Sequence, residues 1–436
     1  MRVVQLSSWE RSGGAAVCVQ RLHRGLRAEG IDDRIIVRSR ETDDALVAEV
    51  RGDAVAEQLW DTIERYWIVD NRTERSDTFF STGRPGADVS THPWVRDADV
   101  LHLHWTSGFL ASRDIRALGR LGQPIVWTLH DEWPYTGGCH FSAGCDRWRG
   151  GCHECPQLRR DPFGLVEAVF ADKARDFANA PLSLVAPSRW MADRAEQSAI
   201  FAGRRVRVIA NAVELDVHHP GRRDAARQRL GLDASCCVIL FVAVNRGERR
   251  KGLPDLVAAL QRVASSSNGA AAIRDGRVRG ILIGSASGLE LPMPTHDLGL
   301  VRDEREVADA MAAADVTVIP SLEDNIPYTV LESIACGTPV LAYAVGGIPE
   351  ALAAQPADLL VPVGDVAALA HRLLAAIDDV SSVRRLRDAV RADAERRYGS
   401  AMQASEYAML YRSLVARGRE EGAANVESSD VRRTTV

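Results

Sequence analysis

Short runs of apolar, mostly β-branched residues alternate along the chain with longer stretches in which apolar positions recur at helical spacing. Each short run is predominantly apolar, which is typical of strands buried on both faces of a parallel sheet. The predicted strands are Val3–Leu6, Arg34–Val37, Val100–Trp105, Ile125–Leu129, Leu184–Ala186, Val238–Val244, Gly280–Ile283, Val316–Ile319 and Val340–Ala344. Strand-helix repetition of this kind predicts α/β layers with right-handed crossovers.

The series divides near "VIANAVELDVHHP", residues 208–220, and resumes after the polar stretch "GRRDAARQRLGLDAS". A chain of 436 residues is also longer than one compact core usually supports. We therefore predict two doubly wound lobes, residues 1–212 and 213–396. A helix over about 397–416 is expected to pack back on the first lobe, and the polar residues 418–436 are expected to be a disordered tail. Ligands of such sheets bind beyond the carboxyl ends of the strands, here in the cleft between the lobes.

Composition and charge narrow the possible partners. Hydrophobic residues make up 46% of the chain, charged residues 26%, and the net charge is −5. The chain lacks the excess of basic residues that would indicate nucleic-acid binding. The start, "MRVVQLSSWE", lacks the apolar core of a signal peptide, and the longest apolar run, Cys236–Val244, is far shorter than a membrane span. A cytoplasmic location is expected, with peripheral membrane contact left open.

Two loops carry features suited to an anion. The first turn, "SSWERSGGAAVCVQRL", places Gly13 and Gly14 just before a helix, where backbone N–H groups favour negative charge. The second lobe opens with "FVAVNRGERRKGLPDLVAAL", in which a cationic cluster follows the strand: Arg246, Arg249, Arg250 and Lys251. Such a cluster suits a diphosphate. The alternatives are an ordinary glycine turn and a solvated basic turn.

Paired carboxylates stand out in "PSLEDNIPYTVLESIACGTPVLAYAVGGIPE". Asp324 lies eight residues before Glu332, with a helix predicted to begin between them. Both could face the cleft and bind hydroxyl groups or do acid–base work. Alternatively, Asp324 caps the helix and Glu332 interacts with its dipole.

His130 and Asp131 follow the buried strand "PIVWTL" and so lie at the edge of the sheet where sites form. His102 and His104, two residues apart in one strand, share a face and could chelate a metal or line the cleft.

The run "TLHDEWPYTGGCHFSAGCDRWRGGCHECP", residues 128–156, holds four of the eight cysteines. Their spacing, Cys-x5-Cys-x6-Cys-x2-Cys, suits a structural zinc site formed by Cys139, Cys145, Cys152 and Cys155. His140 and His153 are alternative ligands, and reduced, packed thiols are the alternative to a metal.

The blocks "WTLHDEWPYTGGCH", "CHECPQL" and "DVLHLHWTSGFL" resemble the retaining nucleotide-sugar glycosyltransferases of GT-B fold, family four, and within it a bacterial subgroup related to colanic-acid and other polysaccharide transferases. The resemblance covers roughly residues 1–415. It implies transfer of a sugar from a UDP- or GDP-sugar to a glycan, a lipid-linked sugar or a small metabolite, without a catalytic metal or other required cofactor.

The resemblance also implies roles for individual residues. Gly13 and Gly14 approach the donor phosphates, Arg246 and Lys251 contact the diphosphate, and Glu332 binds the ribose. His130 lies near the anomeric end of the donor sugar. The family's first motif carboxylate is usually Glu, and here it is Asp324, so neighbouring Glu323 could take its place at the sugar. The remaining donor contacts are assigned to the nucleobase loop and to the backbone of the carboxylate motif: Gly299, Val301, Pro327, Thr329 and Val330.

Two other classes of function share this fold. One is a phosphorylase or a nucleotide-sugar epimerase; the other is a non-catalytic nucleotide-sugar binder, which the Asp at 324 motivates.

Overall fold

The structure, a computed structural model, describes residues 1–433, with side chains described for residues 1–420. The first lobe is built on a seven-stranded sheet with the order β3-β2-β1-β4-β5-β6-β7, in which every neighbouring pair is parallel. Its strands are β1 (Arg2–Trp9), β2 (Asp32–Ser39), β3 (Val47–Glu49), β4 (Val100–Leu103), β5 (Ile125–Thr128), β6 (Leu182–Ala186) and β7 (Val206–Val208).

The second lobe repeats this architecture with six parallel strands in the order β10-β9-β8-β11-β12-β13. They are β8 (Cys237–Asn245), β9 (Val278–Ser285), β10 (Thr295–Asp297), β11 (Val316–Ile319), β12 (Val340–Tyr343) and β13 (Leu360–Val361). The predicted fold, two doubly wound parallel-sheet lobes facing across a cleft, is confirmed. The chain changes sheets between Val208 and Cys237, the stretch that contains the predicted boundary.

Helices cover both faces of the sheets. They are α1 (Gly13–Ala28), α2 (Ala54–Trp67), α3 (Pro93–Arg96), α4 (Ser112–Gly119), α5 (Leu165–Phe177), α6 (Arg189–Gln197), α7 (Arg223–Arg229), α8 (Leu253–Ser265), α9 (Ser267–Arg274), α10 (Glu304–Ala313), α11 (Tyr328–Ala335), α12 (Ile348–Ala351), α13 (Val366–Asp378), α14 (Val380–Arg384), α15 (Arg387–Arg397) and α16 (Ser400–Arg433).

All nine predicted strands are present, and the four that the sequence did not reveal are β3, β7, β10 and β13. Each is the edge strand of its sheet and has only two or three residues. Edge strands are covered less completely than central strands, so they lack the continuous apolar run that identifies a buried strand.

The last helix, α16, returns to the first lobe and packs on α1. A Cβ atom on Gly25 would lie 2.7 Å from the Cβ of Ala404, so the two helices approach closely there. Tyr407 and Tyr411 are fully buried in this contact. The predicted tail, residues 418–436, overlaps the end of α16. Because side chains from 421 onward and residues 434–436 lie outside the described part, its disorder stays a prediction.

Among the helices of the described residues, none has both the length and the apolar character needed to cross a bilayer.

Candidate active site

Two helix N-termini, one from each lobe, face each other across the cleft. Helix α1 begins at Gly13, whose φ of +85° is a left-handed conformation that favours glycine, and α11 begins after Pro327. Neither helix has a side-chain cap or an acidic residue in its first turn. A Cβ on Gly14 would lie 3.6 Å from Cδ2 of Tyr328. Uncapped N-termini carry partial positive charge, so this place favours an anion.

A cationic pair lies beside these N-termini and shares one carboxylate. Lys251 Nζ lies 2.7 Å from Asp324 Oδ2, and Arg250 Nη1 lies 3.0 Å from the same oxygen. Burial alone would raise the pKa of Asp324, but the charges of Lys251 and Arg250 outweigh burial and hold that pKa below its usual value. Asp324 is therefore ionised. Arg250 also pairs with Glu248, whose Oε1 lies 2.9 Å from its Nε, so two carboxylates stand beside the two cations.

The structure does not place Arg246 on this carboxylate. Its Nη2 lies 2.8 Å from Asp297 Oδ2, and its Nε donates to the carbonyl oxygen of Ser285 at 2.7 Å. Its Nη1 is buried and has no hydrogen-bond partner among the described residues. The arginine that joins Lys251 at Asp324 is Arg250, which the sequence placed in the cationic cluster but did not single out.

Glu332 is paired with an arginine from the other lobe. Arg21 Nη2, on α1, donates to Glu332 Oε1 at 2.7 Å and to Glu304 Oε1 at 2.5 Å. The guanidinium also lies 4.9 Å from the centre of the Tyr328 ring, and the Arg21 side chain is only 2% exposed. Burial would raise the pKa of Glu332, but Arg21 and His218 more than offset it and lower that pKa. Arg21 binds Oε1 of Glu332, and the second carboxylate oxygen makes no hydrogen bond within the described part of the chain.

The helix-capping alternative for the two carboxylates is wrong. The residue that precedes α11 is Pro327, not Asp324, and Glu332 lies in the second turn rather than the first. Both carboxylates instead make ion pairs at the cleft.

His130 lies at the carboxyl edge of the first sheet, at the start of a histidine chain. Its Nε2 is 3.0 Å from His104 Nδ1, whose ring packs 3.9 Å from that of His102. His102 in turn bonds Thr128 and the hydroxyl of Tyr411. Burial lowers the pKa of His130 to about 4 and holds the pKa of His102 and His104 well below the ordinary value. All three rings are therefore neutral at neutral pH.

Acidification should destabilise the protein through these rings. The unfolded chain takes up protons on histidine near pH ~6.5, whereas the folded chain resists protonation until about pH 4. The unfolding free energy is therefore greatest above pH ~6.5 and falls as the pH drops toward 4. We expect a lower urea midpoint at about pH 5 than at about pH 7.5, and a shallower pH dependence in a His104→Asn variant. The exposed His371→Asn serves as the matched control; equal pH dependence in both variants would contradict this account.

Glu323, the predicted alternative to Asp324, is engaged by the first lobe. Its carboxylate accepts hydrogen bonds from the backbone N–H of Ala143, at 2.9 and 3.1 Å, and from the hydroxyl of Ser142 at 3.2 Å. Burial raises the pKa of Glu323. Beside it, Asn325 accepts from the Ser188 hydroxyl at 2.7 Å and donates to the carbonyl of His130 at 3.4 Å. Glu323 thus lies at the interface between the lobes. The carboxylate that binds Lys251 and Arg250 is that of Asp324.

The other predicted donor contacts lie at two places. Gly299, with φ +63°, follows the edge strand β10, and its carbonyl accepts from the N–H of Gly284 at 2.7 Å. Val301 packs partly buried against an apolar cluster of the second lobe. At α11, Pro327 has no N–H, and Val330 donates its N–H to the Pro327 carbonyl. The N–H groups free to meet a ligand at this turn are therefore those of Tyr328 and Thr329.

Gly346 is required for the position of Asp324. Its φ is +61°, and a Cβ there would lie 1.7 Å from the carbonyl oxygen of Asp324. We expect Gly346→Ala to lose about 3 kcal/mol or more of unfolding free energy and to reduce activity, because the carboxylate loop must move. Gly364→Ala is the control, since Gly364 has a similar φ of +76° and no atom within 4 Å of the added Cβ. Its loss should stay near 1–2 kcal/mol in urea denaturation, and equal losses would contradict the assignment.

The four cysteines of residues 128–156 lie beside this interface. All are free thiols in the structure and line one small cavity. Ser142 and Ala143, which bind Glu323, lie between Cys139 and Cys145.

Comparison with known proteins identifies the family of the chain. Residues 12–217 match the family described as Glycosyltransferase Family 4, and residues 236–379 match Glycosyl transferases group 1. The D-inositol 3-phosphate glycosyltransferase 1 of Catenulispora acidiphila is 32% identical over 338 residues, covering 74% of each chain. The D-inositol 3-phosphate glycosyltransferase of Mycolicibacterium smegmatis is 31% identical over 385 residues, covering 84% of this chain and 79% of that one.

Solved structures share the fold. Sucrose-phosphate synthase from Thermosynechococcus elongatus superposes with a TM-score of 0.65 at 19% identity, covering 95% of this chain and 99% of that one. HepE from Anabaena, in complex with UDP and glucose, superposes with a TM-score of 0.62 at 18% identity, covering 95% and 100% of the two chains.

Proposed function

The chain belongs to the family 4, group 1 glycosyltransferases, and on that premise we propose that it transfers a sugar from a nucleoside diphosphate sugar to a hydroxyl group with retention of anomeric configuration. The observation that carries the proposal is the close approach of two uncapped helix N-termini, at Gly14 and Tyr328, with Lys251 and Arg250 held on Asp324 four residues before α11. The charge and length of a diphosphate suit a site at which several positive groups lie side by side.

The proposed donor position follows from the surrounding groups. The diphosphate lies between Gly14 and the N–H groups of Tyr328 and Thr329, with Lys251 and Arg250 beside it. The ribose hydroxyls reach the free oxygen of Glu332, and the base lies toward Gly299. Arg246 remains a second candidate for the diphosphate, because its buried Nη1 lacks a described partner.

The proposed chemistry is loss of the diphosphate from the anomeric carbon through an oxocarbenium-like transition state. Positive charge at Lys251, Arg250 and the helix N-termini stabilises the charge that develops on the leaving phosphate. That phosphate takes the proton of the attacking hydroxyl on the same face of the sugar, which gives retention. His130, held neutral by burial, orients the sugar through hydrogen bonds rather than by charge. No step of this scheme requires a divalent ion.

The donor and acceptor are proposed from the relatives and the family pattern. The HepE structures carry UDP, UDP-glucose, or UDP with glucose, which supports a UDP-sugar ahead of a GDP-sugar. The relatives named for D-inositol 3-phosphate add a phosphorylated polyol to the acceptors worth testing, beside glycans, lipid-linked sugars and small metabolites. Assignment to the colanic-acid and polysaccharide subgroup rests on "WTLHDEWPYTGGCH" and remains part of the proposal. The cytoplasmic location and peripheral membrane contact are likewise proposals.

A thermal-shift and calorimetric screen of nucleotide sugars, with product analysis, tests this function. A bound donor raises the melting temperature by mass action, and we expect at least one UDP- or GDP-sugar to do so and to release nucleoside diphosphate when an acceptor is added. Sugar phosphate formed from inorganic phosphate would favour the phosphorylase, an altered donor sugar the epimerase, and tight donor binding without turnover the non-catalytic binder. Absence of all binding would overturn the proposal.

A further inference from the structure

The glycosyltransferase chemistry does not explain the cysteine loop, which we define as residues 137–157. Cys139, Cys145, Cys152 and Cys155 line one cavity of about 20 Å³, together with apolar groups such as Trp148 and Val166. That volume is close to what one water-sized particle needs. We propose that the loop binds a single zinc ion through these four thiolates, as a structural site.

Two buried or half-buried cations lie behind the lining of the cavity and favour an anionic occupant. Lys173 is buried, lies 3.8 Å from the centre of the Trp133 ring, and donates to the carbonyl oxygens of Trp133 and Thr136. Arg72 likewise donates to neutral acceptors, and its buried Nε has no partner in the described part of the chain. Within that part, neither cation makes an ion pair with a carboxylate.

Both cations are held next to the cysteine loop by hydrogen bonds. Lys173 donates to the carbonyl oxygen of Thr136, three residues before Cys139, and Arg72 donates to the side chain of Gln157, two residues after Cys155. Buried charges are costly unless paired. Zinc with four thiolates carries a net charge of about −2, which matches the two cations.

The backbone of the final Cys-x2-Cys turn is also unusual. Cys152 and Glu154 have φ values of 55° and 45°, a left-handed conformation that non-glycine residues rarely adopt. The N–H of Gly137 donates to Sγ of Cys152 at 3.3 Å, a bond that stabilises a thiolate. Cys152 is thus held close to the start of the loop, where a backbone N–H meets its sulfur.

The four cysteines, rather than the two nearby histidines, are the proposed ligand set. His140 is not among the residues that line the cavity; its Nδ1 lies 2.6 Å from Asp131 Oδ2, and its buried Nε2 has no partner among the described residues. His153 lines the cavity but is largely exposed, and its Nδ1 lies 3.0 Å from Glu167.

Metal binding must tighten the loop. Among the described residues, the groups of three ligand atoms within 4.8 Å of one another are Cys18 with His104 and His130, and His218 with Glu304 and Glu332. Both of these groups lie in the cleft already described. No three of the four loop sulfurs lie within 4.8 Å of one another. Zinc–sulfur bonds of about 2.3 Å bring sulfurs to within roughly 4 Å of each other, so the thiols would close on the ion and release their protons to solvent.

The site would hold the loop at the interface between the lobes. Ser142 and Ala143 lie within the segment bounded by Cys139 and Cys145, and they bind Glu323 of the second lobe. A fixed loop therefore keeps these donors at the position that Glu323 requires.

Elemental analysis of the full-length protein, purified under reducing conditions, tests the proposal. We expect about one zinc per chain, and a fall in melting temperature of several degrees when a strong chelator removes it. Exchange with Co²⁺ should produce the visible absorption of tetrahedral cobalt bound to thiolates. Cys152→Ser should lose the metal, whereas Cys236→Ser, a buried cysteine outside the loop, should retain it.

The cobalt spectrum of the unaltered chain decides the question even if Cys152→Ser does not fold. Zinc well below one equivalent together with no cobalt–thiolate absorption would overturn the site, and a thiol count would then distinguish reduced cysteines from disulfides. Because these measurements report metal rather than turnover, their failure would leave the proposed glycosyl transfer untouched.

Discussion

Replacing Lys251 with alanine should reduce kcat/KM for the nucleotide-sugar donor by about 10²–10³-fold. Lys251 Nζ lies at Asp324 beside the N-terminus of α11, where the leaving diphosphate is proposed to develop charge. Removing the ammonium withdraws one preorganised positive charge from that position. Steady-state kinetics with calorimetric measurement of nucleoside diphosphate affinity would check both the rate and the binding.

Neighbouring arginines provide the controls for this experiment. Arg249 is exposed and contacts Glu74 and Asp77 of the first lobe, so Arg249→Ala should change kcat/KM little. Comparing Arg250→Ala with Arg246→Ala identifies the partner of Lys251, and we expect the larger loss from Arg250→Ala because Arg250 shares the Asp324 carboxylate. Unchanged nucleotide affinity in Lys251→Ala would remove Lys251 from the diphosphate site.

Replacing Arg21 with alanine should lower the unfolding free energy by about 3–5 kcal/mol. Arg21 is almost fully buried and binds Glu332 and Glu304 of the second lobe. Its loss leaves the buried Glu332 without its partner at the point where the lobes meet. Urea denaturation at neutral pH measures this loss of unfolding free energy. The KM for the donor should also rise, because Glu332 is no longer held in place.

Arg24 offers a matched control on the same helix. It pairs with Glu214 at 2.8 Å, but its side chain is 54% exposed. Exposed ion pairs contribute little, so Arg24→Ala should cost less than about 1 kcal/mol. Equal losses for Arg21→Ala and Arg24→Ala would contradict the importance assigned to the buried pair.

The sequence predicted the fold well because the central strands are buried on both faces. The run Val238–Val244 is apolar throughout, and Val316–Ile319 is interrupted only by Thr317, so both are readily recognised. The four edge strands carry two or three residues each, and pairing with a neighbour, rather than their own composition, makes them strands.

The site was predicted in part, for a physical reason. Lys251, Asp324 and His130 each stand in a loop that the strand-helix pattern locates, and Glu332 lies in the helix that follows Asp324. Their partners do not follow from local pattern: Arg21 lies 311 positions from Glu332, and Ala143 lies 180 positions from Glu323. Arg250 could have been found, since it adjoins Lys251 in the cationic cluster, but charge alone did not rank it above Arg246.

The most direct test of glycosyl transfer with retention is the anomeric configuration of the product. The purified protein would be incubated with a UDP-sugar that binds and a panel of hydroxyl acceptors that includes a phosphorylated inositol. Nuclear magnetic resonance of the product should show the new glycosidic bond with the donor's own configuration, formed together with one nucleoside diphosphate per bond. An inverted product would contradict the proposed mechanism, and no product with any nucleotide sugar that binds would contradict the transferase itself.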